Sequence, residues 1–103
     1  MNDGRLHAAE ARVATAQPAR YLEQLCKHFE HRLAVTRDNG RATIAFAAGR
    51  CDLSTEGETL VLRVTTEDPA AIDKLQDVVA SHLARFAFRE ELKFEWRRLE
   101  PNR

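Results

Sequence analysis

Residues 33–64 read LAVTRDNGRATIAFAAGRCDLSTEGETLVLRV, and this stretch decides the fold. Leu33 and Val35 share one side of an extended chain, Ile44 and Phe46 one side of a second, and Cys51 and Leu53 of a third. Leu60, Leu62 and Val64 repeat the pattern in a fourth, the period of two that marks a strand with one buried face. The breaks carry turn chemistry. Asp38-Asn39-Gly40 supplies residues that tolerate the positive φ of a tight hairpin, Gly49 permits a second reversal, and Glu56-Gly57 a third. These segments predict a four-stranded antiparallel meander.

Helices flank the meander. Pro18 suits a first helical position, where its missing N–H has no intrahelical partner to lose, and Leu22, Leu25 and Phe29 follow at helical spacing. The first helix is expected over 18–31. Asp68-Pro69 opens the second, with Asp68 able to accept from the orphan N–H groups of the first turn, and Ile72, Leu75, Val79, Leu83 and Phe86 form its buried stripe. Outside the helices, Ala11, Val13 and Thr15 mark a first strand, and Leu92, Phe94 and Trp96, alternating with Lys93, Glu95 and Arg97, mark a half-buried last one. Residues 1–10 are expected as a loose N-terminal tail, 11–98 as a single domain, and 99–103, where Pro101 ends regular structure, as a C-terminal tail. The order β-α-β-β-β-β-α-β is α+β. One-sided helices and a one-sided sheet bury their faces most simply with both helices on one face. That order resembles one half of the TATA-box-binding-protein fold with an added strand, in topology alone.

Composition narrows the function classes. A chain of 103 residues with 44% apolar and 31% charged residues suits one globular domain, and 16 Lys+Arg against 16 Asp+Glu leave no net field to draw nucleic acid or an anionic membrane. No segment approaches the ~20 apolar residues that span a bilayer, and the first ten residues hold no signal-like apolar run. A cytoplasmic protein is expected, with Cys26 and Cys51 as thiols.

Chemistry-bearing side chains are few. His28 and His31, three apart on the expected helix, lie about 60° apart around its axis and can bind one ion together. His82 falls on the inward stripe of the second helix and can approach that pair if both helices share a sheet face, and Cys51 can join only if its strand passes beneath them. Imidazole and thiolate suit zinc, copper or ferrous iron, so His28, His31, His82 and Cys51 form the candidate metal set, with zinc or iron as the expected ion. Cys26 points about 200° away from His28 and is left out. Each has a plainer role: His82 as a core histidine bonded to a carbonyl or to Tyr21, His28 and His31 against the negative end of the helix dipole, Cys51 as a small buried hydrophobe. Arg85 and Arg89 make a candidate anion-binding row, with Glu90 and Glu91 as competing partners. Catalytic signatures are missing: there is no Gly-x-Ser-x-Gly elbow and no His-Glu-x-x-His helix, which leaves a Cys51 thiol with His82 as base as a third reading.

Several stretches together carry a family resemblance: Ala11-Arg12-Val13, Arg20-Tyr21, Gln24 to His31, Gly49-Arg50-Cys51, Ser81 to Glu90 and Trp96. Spread over about residues 11–98, they resemble the bacterial domain of unknown function 2218 (DUF2218), with His82-Leu83-Ala84-Arg85-Phe86-Ala87-Phe88 the most distinctive run. The resemblance implies little mechanism. Similar domains beside siderophore-interacting flavoproteins imply a link to iron or other metal handling. Two readings follow: a small binding protein holding a metal or metal-bearing ligand at the histidines, which is preferred, or an interaction module with structural histidines whose sheet edge or polar face meets another protein, such as a second copy in a homodimer.

Overall fold

The computed structural model describes residues 5–102. The chain runs β1 (Leu6–Ala14), α1 (Pro18–Phe29), β2 (Val35–Asp38), β3 (Arg41–Phe46), β4 (Gly49–Glu56), β5 (Thr59–Thr66), α2 (Ile72–Phe86) and β6 (Arg97–Asn102), with a 3₁₀ turn over Pro69–Ala71 leading into α2. The strands form one antiparallel sheet in the order β2-β3-β4-β5-β1-β6. The fold is therefore the expected α+β arrangement. Its meander is joined by three two-residue loops, closed by the pairs Asp38↔Arg41, Phe46↔Gly49 and Glu56↔Thr59. In the first loop Asn39 (φ 46°) and Gly40 (φ 79°) are both left-handed, as the twist of a tight hairpin requires.

Both helices cover one sheet face. Leu22, Leu25 and Phe29 of α1 and Ile72, Leu75, Val79 and Leu83 of α2 pack in a single cluster with Ala9, Ala11 and Val13 of β1, Ile44 of β3, Cys51 and Leu53 of β4, and Leu60, Leu62 and Val64 of β5. The other face is polar and cross-linked within itself: Thr43 Oγ1 and Arg50 Nε donate to Asp52 at 2.7 and 3.0 Å, and Arg63 donates to Glu10 at 3.1 Å. Asp68 caps the entry to α2, its Oδ1 accepting from the Ala70 N–H at 3.0 Å. No described helix is long and apolar enough to cross a membrane.

Three boundaries differ from expectation. β1 begins at Leu6, so residues 6–10 of the expected tail are strand; Ala9 is fully buried and pairs with Val64 on one side and Arg98 on the other. α1 ends at Phe29 instead of His31, because the N–H groups of Arg32 and Leu33 both fold back onto the Phe29 carbonyl (3.1 and 2.8 Å) as Leu33 turns to the core. The last strand lies at Arg97–Asn102. Leu92, Phe94 and Trp96 do alternate toward the core as expected, but without ladder partners, whereas the expected C-terminal tail supplies most of the paired edge strand. Pro101 is accommodated there because an edge strand has one row of N–H groups with no ladder to serve.

Candidate functional site

Putting α1 and α2 on one sheet face brings the end of the first against the middle of the second. The His28 and His82 rings meet there with centroids 4.7 Å apart and planes tilted by 44°. Phe29 flanks both, edge-on to His28 at 4.9 Å and tilted to His82 at 5.0 Å, and Phe86 stands edge-on to His28 at 5.6 Å. The pair opens on a cavity of about 580 Å³. His31 also lines it, with Arg32 and with apolar walls from Leu33, Phe46 and Val78. Three of the four residues singled out as metal ligands thus share one cavity, although His31 reaches it from the turn after α1, not from the helix face that the three-residue spacing assumed.

His82 Nδ1 lies 2.6 Å from the Val78 carbonyl, one helical turn back. A carbonyl can only accept, so the shared proton belongs to Nδ1, and in the neutral ring that bond selects the tautomer whose lone pair is on Nε2. Of the two partners expected for His82, a carbonyl or Tyr21, the structure has the carbonyl; the Tyr21 hydroxyl donates to Glu90 instead. Burial holds the His28 pKa below its usual value, with the neighbouring His82, Arg85 and His31 adding to the effect. His28 is nonetheless exposed overall: one side of its ring lies against Phe29, Phe86 and His82 while the other meets solvent. Depressed basicity keeps a lone pair available near neutral pH, the state that ligates a metal or accepts a hydrogen bond.

Cys51 is not part of this group. It sits fully buried in β4, between Ile44 and Val64 in the ladder, and does not line the histidine cavity. Burial pushes its thiol pKa far up, so it is a packed thiol and not a ready nucleophile, and the Cys51–His82 dyad of the third reading is not formed. Cys26 is likewise buried, and the two are unbridged. Among the described residues no three His, Cys, Asp or Glu side chains make a ready-made metal centre. Nor do Arg85 and Arg89 form one helical row. α2 ends at Phe86, and Arg89 lies past it with its guanidinium 5.3 Å from the Phe88 ring centre.

Sequence reading missed a second polar node. Glu90 reaches back to the start of α1, where its carboxylate accepts from the Tyr21 hydroxyl at 2.5 Å and from Thr15 Oγ1 at 3.1 Å to each oxygen. Thr15 Oγ1 in turn accepts from the Gln17 N–H at 3.1 Å, just ahead of Pro18. Tyr21 is almost wholly buried, and its bond to Glu90 raises its pKa, keeping it a donor. No spacing rule links residues 75 apart. The available signal was a buried tyrosine needing a partner.

Comparison with known proteins relates the chain to a bacterial family. The sequence model for a bacterial family, described as an uncharacterized protein conserved in bacteria (DUF2218), matches residues 10–97. The NMR structure of PA4090 from Pseudomonas aeruginosa is similar to the chain at 31% identity, with a TM-score of 0.74, over 87% of this chain and 94% of that one. No curated protein matches.

Proposed function

The chain belongs to the DUF2218 family of bacterial proteins, and from that premise we propose that it is a small binding protein whose ligand lies between the end of α1 and the middle of α2, against His28, His31 and His82. One observation carries the reading: two imidazoles from different helices stand with ring centroids 4.7 Å apart at a cavity of about 580 Å³ whose remaining lining is apolar apart from His31 and Arg32. A volume of that order, mostly apolar with a few convergent polar groups, suits a small molecule. The Nδ1 bond of His82 to a backbone carbonyl is the support that orients a ligating imidazole in many metal sites.

The occupant that fits best is a metal-bearing ligand. Two or three imidazoles suit zinc or ferrous iron and leave coordination positions for donors brought by the ligand itself. An association with iron handling agrees with that donor set, and Cys51 has no part in it. The test is an NMR titration of reduced protein with zinc and then ferrous iron, following the histidine imidazoles. Saturable, stoichiometric shifts at His28 and His82, absent in a His28→Gln/His82→Gln variant that keeps its fold, are the expected result. Shifts confined to His7, or none, would overturn the metal reading.

A further inference from the structure

We propose that a second cavity, between the start of α1 and the segment after α2, binds a small zwitterion of the α-amino-acid class. This cavity of about 330 Å³ is lined by Arg20, Tyr21, Phe86, Phe88, Arg89 and Glu90, together with Gln17. Its charges are laid out in both signs. Glu90 is held by the Tyr21 and Thr15 hydroxyls, so its carboxylate is oriented in advance and keeps acceptor capacity for an ammonium group.

The cations are differently placed. Arg20 donates to Gln17 Oε1 at 3.2 Å, and Arg89 lies over the Phe88 ring. Among the described residues neither guanidinium is paired with a carboxylate, although Glu90 lines the same cavity. An anion alone would meet the Glu90 charge, and an amine alone would meet two guanidinium groups. A ligand carrying carboxylate and ammonium on one carbon answers both. Phe88, 78% exposed and the one large hydrophobic so exposed among the described residues, stands with Phe86 beside these groups and offers an apolar surface for the ligand side chain.

The site is separate from the histidine cavity: among the described residues the two share no lining residue, and Phe86 of this one touches the other through its edge-on contact with the His28 ring. It therefore stands or falls independently of the metal reading. The experiment is an NMR titration with L-phenylalanine, with 3-phenylpropionate and phenethylamine as analogues that each lack one charge. Backbone amides of Tyr21, Phe88, Arg89 and Glu90 report binding; Phe86 is left out because its ring also contacts His28 of the other cavity. The expected result is saturable shifts at these amides, with affinity for each analogue, and for L-phenylalanine in Arg20→Gln and Arg89→Gln, weaker by about tenfold or more. Both arginines are exposed, so these variants should keep the remaining spectrum unchanged. The proposal is overturned by the lack of saturable shifts at these amides, by equal binding of either analogue, or by variants that bind as the parent does.

Discussion

His28 shows how one residue's surroundings set a property of the whole chain. Its pKa in the folded protein is lowered from 6.5, first by burial and then by His82, Arg85 and His31. The groups facing it come from α1, the turn after it and α2, and the charged ones are all basic. Below about pH 6.5 the unfolded chain takes up a proton here more readily than the folded one, so the contribution is intact above that value and is lost as pH falls through the lowered folded value. Urea midpoints in metal-free buffer should therefore drop between about pH 7.5 and about pH 5.5, and His28→Gln should reduce the drop. Identical pH profiles for parent and variant would show that the ring is as well solvated folded as unfolded. Gly49 is a second residue whose surroundings decide its identity. A Cβ there would lie 2.2 Å from the Thr65 carbonyl oxygen and 3.0 Å from Thr66 Cβ, and backbone cannot swing aside as a side chain can. Gly49→Ala should cost about 3 kcal/mol of unfolding free energy, read by urea denaturation, because β4 and β5 must part to admit it. A cost below about 0.5 kcal/mol would mean that the two strands yield freely.

Among the elements, α2 serves both the core and the cavities. Its inward stripe, Ile72, Leu75, Val79 and Leu83, seats the helix on the sheet, while His82 and Phe86 look along its flank toward α1. Leu83 is fully buried beside His82 in sequence, so Leu83→Ala should lower stability by about 2–5 kcal/mol. It should also disturb the imidazole signal of His82, and a loss under about 1 kcal/mol would show that the helix settles into the space. The stripe on α2 and the alternation in the meander were legible in the sequence because period and burial are the same physical fact. The last strand was not. Leu92, Phe94 and Trp96 alternate because one side of that segment faces the core, and alternation cannot tell whether another strand lies alongside. The candidate site was legible to the same depth. Placing His28 and His82 near each other needed only two helices on one face, whereas the exclusion of Cys51 depended on how deep β4 lies, and the Glu90 node on a contact between distant segments.

At the scale of the whole molecule, the N-terminal segment determines whether the sheet is complete. β1 comes first in sequence but lies between β5 and β6, and among the described residues every ladder pair of β6 is made with residues 6–10: Leu6↔Asn102, Ala8↔Leu99, Ala9↔Arg98 and Glu10↔Arg97. The same residues continue the β5 ladder from His7↔Thr66 to Glu10↔Arg63, and Ala9 is buried in the core. Small alanines at 8, 9 and 11 on both faces hide the alternation that would have announced this strand. A chain beginning at Ala11 would then lose an outer strand entirely and expose the edge of β5 over half its length. Such a chain should unfold at a clearly lower urea concentration, lose the amide protection of residues 97–99, and associate as concentration rises, since an uncovered edge recruits another strand. Urea titration, hydrogen exchange and sedimentation of the shortened chain beside the full one would read all three. A shortened chain that matched the full one in midpoint and in protection of residues 61–66 would instead mean that residues 6–10 ride on the sheet without holding it together.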